Sequence, residues 1–184
     1  MLAALSRAET WPDYASEIGR FTPVRDAPLR SQTFEIEIVG LPATPALVYI
    51  RAYVTCTKVV TAEEPDALRA HVDELDDGLA RFGRDEPPAV PAGGEAYAAI
   101  DLTTHEGHFM GPARSRLVLC TVGGQAYLRD VGVWDPMRWP LEPVYERAGY
   151  NAQQAFWGLE TPEQSMLYQM GAVIARGPGS APAA

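Results

Sequence analysis

The stretch "ALVYIRAYVTCTKVV" at residues 46–60 is a long alternating run of β-forming residues. Its first face carries small and apolar side chains: Ala46, Val48, Ile50, Ala52, Val54 and Cys56. Its second face carries larger polar side chains: Tyr49, Arg51, Tyr53, Thr55 and Thr57. A strand of this length with one amphipathic polar face predicts a strongly curved sheet, whose concave side is a natural ligand site. The alternative is a sheet whose polar face simply meets water.

Further β-like runs flank this strand on both sides. The preceding run "QTFEIEIVG" alternates apolar residues with Glu35 and Glu37, which predicts a strand with one wet face. Three runs follow later in the chain: "EAYAAIDLTTHEGHFMG", "RSRLVLCTV" and "QAYLRDVGVWD". Gly123 and Gly124 separate the last two runs, and paired glycines supply the positive φ angles of a tight hairpin. The sequence therefore predicts about five strands, with the last two antiparallel.

Helical periodicity appears before, between and after these strands. Tyr14, Ile18 and Phe21 are spaced to share one helix face, so we predict a helix up to Phe21. The clearest helix is predicted from Pro65 to Phe82, and its apolar stripe is Leu68, Val72, Leu75, Leu79 and Phe82. It begins either with Pro65 at the first helical position or with a capping box of Thr61 and Glu64, and Gly83 ends it. His71 lies at the edge of the stripe and is expected to be partly exposed and uninvolved.

Two more helices are predicted at the C-terminal end. In the first helix, the apolar residues between Leu141 and Leu159 are spaced to share one face. The second helix begins with Thr161 as its cap and buries an apolar stripe that includes Met166, Leu167 and Met170. The tail at 177–184 is rich in Pro, Gly and Ala and is expected to be disordered. The order lacks regular strand and helix alternation, which argues against a parallel doubly wound sheet.

These elements predict a single α+β domain over residues 1–176. Its core is a curved, barrel-like antiparallel sheet of about five strands, wrapped by an N-terminal helix, one central helix and two C-terminal helices. The chain has 184 residues, of which 47% are hydrophobic and 21% charged, as in ordinary globular domains. Cys56 and Cys120 both fall in apolar runs, which favours buried, reduced thiols over a disulfide.

Charge and hydropathy exclude several classes of partner. The formal net charge is −9 and no basic cluster occurs, so nucleic acid is not expected as a partner. The start "MLAALSRAETWPDY" lacks a secretory pattern, and no apolar run approaches the ~20 residues that cross a bilayer. We therefore expect a cytoplasmic protein without membrane contact. A homo-oligomer remains open.

The run "DLTTHEGHFMG" at residues 101–111 contains the best candidates for chemistry. Strand alternation places Asp101 and His105 on one face, where the carboxylate can orient the imidazole for acid–base catalysis. Glu106 and His108 fall on the other face and replace that pair if Gly107 introduces a bulge. The alternative is that these side chains are merely solvated or structural.

No metal or cofactor is predicted. The "HEGH" histidines are three residues apart instead of the four of a zinc-protease helix, and the run contains no cysteine and no further histidine. The paired glycines match neither a dinucleotide nor a phosphate loop. Lys58 is a candidate Schiff-base amine, although we favour a side chain that extends to the rim of the sheet.

The candidate substrate contacts lie on the polar strand face and at the end of the last strand. Tyr49, Arg51 and Tyr53 would line the cup, while Trp134 and Asp135 would close its mouth. The favoured alternative for this strand end is a proline-fixed corner whose tryptophans pack on the core. The leading hypothesis is a small cofactor-independent isomerase, cyclase or dehydratase that acts on a largely apolar, oxygen-bearing metabolite. The rival hypotheses are a non-catalytic small-molecule-binding protein and an oligomeric scaffold subunit.

Overall fold

An antiparallel sheet and one helix form the part of the chain that the computed structural model describes. The described residues are 11, 14–15, 19–24, 27–38, 50–81, 87–108, 113–134, 147, 165–166 and 168–170. Their elements are β1 (Tyr14–Ala15), β2 (Gly19–Pro23), β3 (Thr33–Ile38), β4 (Ile50–Thr61), α1 (Pro65–Arg81), β5 (Gly94–Thr104), β6 (Ala113–Val122) and β7 (Gln125–Trp134).

The strands pair in chain order, each antiparallel to the next, and the sheet curls into a half-barrel. The predicted antiparallel sheet is therefore confirmed, but the described residues contain seven strands instead of about five. β1 and β7 lie at opposite ends of the strand order.

The predicted N-terminal helix is wrong for the residues that the structure describes. Residues 14–15 and 19–23 form strands, and Tyr14 pairs with Phe21 across the β1–β2 ladder. Phe21 stacks on Phe34 with ring centroids 4.5 Å apart, and Trp11 packs against both rings. This aromatic packing and the pairing of β2 with β3 favour a strand over the helix that the apolar spacing predicts. Gly19 also lowers the helix propensity of this segment. The earlier part of that prediction lies outside the described residues.

The predicted alternation of the long strand is confirmed where β4 is described. Ala52, Val54 and Cys56 are buried, whereas Arg51 on the second face is exposed. A β-bulge then interrupts the ladder, because Cys56 pairs with Leu102 but Lys58 pairs with the next residue along β5. The extra residue moves Lys58 to the opposite face from Cys56, so parity along the sequence assigns it to the wrong face.

Helix α1 covers part of one face of the sheet. It begins at Pro65, as predicted, and the Thr61 hydroxyl accepts a hydrogen bond of 3.4 Å from the Glu63 amide just before it. The end predicted at Phe82 and Gly83 lies outside the described residues. Leu68, Val72 and Leu75 of the apolar stripe pack on the sheet in one buried cluster. The other members of that cluster are Val60, Ala89, Ala99 and Val118. The predicted packing stripe of this helix is therefore confirmed.

The opposite face of the sheet carries a second and larger core. Its buried members are Trp11, Phe21, Leu29, Phe34, Val54, Cys56, Ala98, Ile100, Leu102, Leu117, Leu119, Met166 and Met170. Burial of Met166 and Met170 is as predicted for the last helix, while the remainder of both C-terminal helices and the tail lie outside the described residues. Because both faces are covered, β6 is buried continuously from Arg116 to Cys120.

Two turns join the later strands. Gly123 and Gly124 have φ angles of 56° and 80°, and they connect β6 and β7 in the predicted hairpin. Strand β5 ends at Thr104, after which the His108 amide bonds to the His105 carbonyl at 3.2 Å. The expected continuation of the strand through His108 is therefore wrong, since Gly107, with φ of 81°, sits in this turn.

Cys56 and Cys120 are free and buried, as expected. Burial raises the pKa of the Cys56 thiol to about 12 and also raises the pKa of Cys120. Both thiols are therefore protonated and unreactive at neutral pH.

No helix within the described residues combines the length and the apolar character that crossing a bilayer requires.

Candidate functional site

A strip of polar side chains lies on the α1 side of the sheet, on the part of β3, β4 and β5 next to the residues that α1 covers. Strand alternation places these side chains together, and the register pairs Glu35 with Tyr53 and Thr55 with Thr103. We call this strip the polar face, and it consists of Thr33, Glu35, Glu37, Arg51, Tyr53, Thr55, Thr57, Thr103 and His105. It includes three of the predicted site residues: Arg51, Tyr53 and His105.

One half of the polar face is an ionic network. The Arg51 guanidinium bonds to Glu35 at 3.0 Å and to Glu37 at 2.9 Å. The Tyr53 hydroxyl donates to the other Glu35 oxygen at 2.9 Å, and this bond raises the pKa of Tyr53 above its ordinary value. Arg51 is thus paired with two carboxylates, and Arg20 lies opposite Glu37 in the β2–β3 ladder, so the charges of this half are largely balanced.

The other half is a chain of hydroxyl groups that ends at an imidazole. The Thr55 hydroxyl lies 2.6 Å from Nε2 of His105 and 2.9 Å from the Thr33 hydroxyl. The His105 amide donates to the Tyr53 carbonyl at 3.0 Å, so backbone and side chain both hold this residue in place. The residue is exposed, and its ring can therefore contact a ligand from solvent.

Asp101 is not in contact with His105. Four strand residues separate the two positions by about 13 Å along β5, well beyond a hydrogen bond. The Asp101 carboxylate instead accepts bonds from Arg116 Nε at 2.6 Å and Nη2 at 2.9 Å. Burial alone would raise the pKa of Asp101, but the bonds from Arg116 outweigh it and hold the pKa below its ordinary value. The carboxylate is therefore ionised, although it is only 4% exposed.

The histidine that meets Asp101 is His71 of α1, and the expectation of an uninvolved, partly exposed side chain is wrong. His71 is 3% exposed, because α1 packs closely over β4 and β5 at this point. Its Nε2 lies 3.1 and 3.2 Å from the two Asp101 oxygens, and its Nδ1 lies 3.1 Å from Lys58 Nζ. Burial lowers the pKa of His71 below its ordinary value.

Arg116 joins this cluster to the backbone of α1. Its Nη1 donates to the His71 carbonyl at 2.9 Å and lies 3.6 Å from Glu74, whose carboxylate is 64% exposed. Lys58, His71, Asp101 and Arg116 thus form a buried polar group under the helix, with Lys58 at its exposed edge. We call these four residues the Lys58 cluster.

The remaining predicted site residues are dispersed. Glu106 is exposed in the turn after β5, and His108 closes that turn in a partly buried position. Burial, and then the charge of the neighbouring His105, lower the pKa of His108 to about 4. The backbone of Trp134 ends β7 by pairing with Ala113, while Tyr49 and Asp135 lie outside the described residues.

A separate depression of about 250 Å³ lies between the loop before β5 and the hairpin of β6 and β7. It is lined by residues 87–89, 91, 120 and 127–129, none of which belongs to the predicted site. Among the described residues, no three His, Cys, Asp or Glu side chains converge in an arrangement that would hold a metal ion.

Sequence reasoning did not find His71, Arg116, Glu35 or the contact between Thr55 and His105. The alternation of Glu35 with apolar residues, and its register with Tyr53, are signals that locate it once β3 and β4 are paired. His71 and Arg116 carry no such signal, because their contact depends on where α1 crosses the sheet.

Comparison with family models, curated proteins and solved structures gives no match for this chain.

Proposed function

We propose that this protein is a small cofactor-independent enzyme that transfers a proton on a neutral, oxygen-bearing metabolite bound at the polar face. His105 is the general acid–base group, and Thr55 is the positioning residue that orients its ring. The observation that carries the proposal is the 2.6 Å contact between the Thr55 hydroxyl and His105 Nε2 at an exposed position.

The surroundings of His105 suit proton transfer. Imidazole is the side chain most often used as an acid or base near neutral pH. With Nε2 held by Thr55, Nδ1 remains for a substrate atom, and the Thr33 hydroxyl extends the chain by one further bond. A ring held by one side-chain bond, on a residue whose backbone amide is also bonded, loses little freedom on substrate binding, which favours a productive geometry.

The charges of the polar face define the substrate class. Arg51 is already paired with Glu35 and Glu37, so its guanidinium is not available as the partner of a phosphate or a carboxylate. The threonine hydroxyls instead offer donors and acceptors to neutral hydroxyl and carbonyl groups. An isomerase, cyclase or dehydratase that removes a proton next to a carbonyl fits this environment.

The experiment is deuterium exchange into neutral ketones in D₂O, followed by NMR with cyclohexanone and dihydroxyacetone as probes. The protein is expected to accelerate exchange at the carbon next to the carbonyl. His105→Gln should lower the rate about 100-fold or more, because proton transfer by a positioned side chain contributes that much. Thr55→Val should lower it as well, and Thr55→Ser should restore it.

Glu95→Gln is the matched control, since Glu95 is exposed near the opposite end of β5 and should leave the rate unchanged. The proposal is overturned if neither probe exchanges faster than in buffer. It is equally overturned if His105→Gln exchanges as fast as the unchanged chain while its circular dichroism shows a folded protein.

A non-catalytic binding protein is the second candidate. It is favoured by the observation that Asp101 bonds to Arg116 and His71, so that within the described residues no carboxylate is bonded to the His105 ring. Catalytic histidines are commonly oriented by such a carboxylate. Chemical-shift changes at the polar face on addition of the same ketones, without deuterium exchange, would support binding over catalysis.

A further inference from the structure

Lys58 is the only lysine among the 15 basic Lys and Arg side chains of this protein. Everywhere else the chain uses arginine, whose guanidinium stays protonated and is a poor nucleophile. The lysine amine differs from a guanidinium because it can lose a proton and then attack an electrophilic carbon. The position of this single amine in the fold is therefore informative.

The β-bulge after Cys56 brings Lys58 to the α1 side of the sheet, directly opposite Asp101 in the ladder. Its Nζ lies 3.1 Å from Nδ1 of His71. No carboxylate within the described residues lies at salt-bridge distance from this ammonium, whereas Arg51 and Arg116 each bond to carboxylates. The nearest polar partner of the amine is thus the ring nitrogen of a buried histidine.

The hydrogen bonds assign the tautomer of His71. Nε2 faces the ionised Asp101 carboxylate at 3.1 Å and must carry a proton to bond to it. The ring is neutral because burial lowers the pKa of His71, so Nδ1 presents a lone pair to the Lys58 ammonium. Glu74, with an oxygen 3.5 Å from Nδ1, would stabilise the ring once it accepts a proton.

Each member of the Lys58 cluster has a place in this arrangement. The Asp101 carboxylate orients the His71 imidazole, and the imidazole faces the Lys58 amine that it can deprotonate. This is the arrangement of a nucleophile, its base and the carboxylate that orients the base. Arg116 holds the carboxylate with two bonds and holds α1 through the His71 carbonyl. The imidazole and the carboxylate are buried while Lys58 is exposed, so a ligand reaches the cluster at the amine, next to His71 Nδ1.

From this arrangement we infer that Lys58 is a nucleophilic amine that forms a Schiff base with an aldehyde or ketone, with His71 as its general base and acid and Asp101 as the positioning residue. His71 Nδ1 takes one proton from the ammonium, and the amine nitrogen then forms a bond to the carbonyl carbon. The proton left on nitrogen by that addition moves to the former carbonyl oxygen. His71 returns its proton to the resulting hydroxyl group, which leaves as water and gives the protonated imine. This site does not depend on the role of His105.

A purely structural role explains only part of the cluster. The Asp101–Arg116 pair and the bond to the His71 carbonyl are enough to fix α1 on the sheet. Neither requires an ammonium group at position 58. The two explanations differ in what they predict for the reactivity of the amine, and that reactivity can be measured at one known residue.

The experiment is reductive alkylation of the full chain at pH 7 with propionaldehyde and cyanoborohydride, read by peptide mass spectrometry. The hydride converts each imine to a stable propyl amine, so the rate of propyl transfer to Lys58 reports imine formation. The same chain unfolded in guanidinium chloride supplies the reference rate for an ordinary lysine. Labelling of Lys58 in the folded chain is expected to be faster by roughly tenfold or more.

Three variants complete the test. Lys58→Arg should abolish labelling at this position, His71→Gln should reduce it to the unfolded reference, and His105→Gln should leave it unchanged. The inference is overturned if folded Lys58 reacts no faster than unfolded Lys58, a comparison that needs no variant. It is also overturned if folded His71→Gln labels as fast as the unchanged chain.

Discussion

Replacing Asp101 by Asn tests how strongly the Lys58 cluster depends on its carboxylate. Asp101 and Arg116 are 5% and 6% exposed at their side chains, and two bonds of 2.6 and 2.9 Å join them. The substitution removes the negative charge but leaves the guanidinium buried, and breaking a buried pair in this way costs about 3–5 kcal/mol. Since whole domains are stable by about 5–15 kcal/mol, the variant should lose a large fraction of its stability.

The matched control is Glu37→Gln, which breaks a bond of nearly the same length to Arg51. There the guanidinium is 53% exposed, so water replaces the lost partner and the cost should stay below about 1 kcal/mol. Urea unfolding at pH 7, followed by circular dichroism, gives both free energies of unfolding from midpoints and slopes. Equal losses in the two variants would refute the argument that burial decides the strength of this pair.

A double variant separates the charge from the shape of the site. Asp101→Asn combined with Arg116→Met keeps an oxygen for the His71 Nε2 proton and removes the unpaired cation. Because apolar replacement of a buried pair is often neutral, the double variant should regain about 2 kcal/mol or more relative to Asp101→Asn alone. If the two losses simply add, the guanidinium is not the source of the instability.

Three further predictions concern other parts of the fold. The pKa of His108 is about 4 in the folded chain against an ordinary 6.5, so the unfolded chain binds more protons between these two pH values. The free energy of unfolding should therefore fall as the pH drops from 6.5 to 4. His108→Gln should weaken this pH dependence, as urea titrations at several pH values would show. Cys56 should not react with iodoacetamide at pH 8 until the chain is unfolded, as mass spectrometry would show. Gly124→Ala should destabilise the fold by about 1–2 kcal/mol, because the φ of Gly124 is +80°. Gly78→Ala inside α1 should instead stabilise it by about 0.5–1 kcal/mol, because alanine favours a helix more than glycine does. Thermal unfolding that shows the same sign for both variants would contradict this argument from backbone conformation.

The regular parts of the fold were readable from the sequence because local patterns determine them. The alternation in β4, the four-and-three spacing of Leu68, Val72 and Leu75, and the Gly123–Gly124 hairpin all appear as predicted. The N-terminal segment was not, because the helical spacing of its apolar residues is also satisfied by Phe21 packing on Phe34 across two strands. A distant aromatic contact decided between two locally acceptable structures.

The candidate site was less predictable for a physical reason. Asp101 and His105 do fall on the same side of the sheet, but a shared face does not bring residues four apart into contact, since each strand residue advances the chain by about 3.4 Å. The partner that Asp101 does meet comes from α1, and Lys58 joins them only because a β-bulge reverses its face. Crossing points of helices and positions of bulges are tertiary features that alternation does not encode.

The placement of the Lys58 cluster bears on why such groups lie in the centre of this fold. Arg116 precedes four buried apolar or thiol side chains in β6, so apolar residues in place of both Arg116 and Asp101 would extend the core with little loss of stability. A cation at that position obliges Asp101 to be ionised, and the ionised carboxylate in turn fixes the proton of His71 and directs its free nitrogen at Lys58. The two proposed sites can then be separated by chemistry: loss of ketone exchange in His105→Gln with Lys58 labelling intact would assign proton transfer to the polar face, and the reverse pattern in His71→Gln would assign carbonyl capture to the cluster.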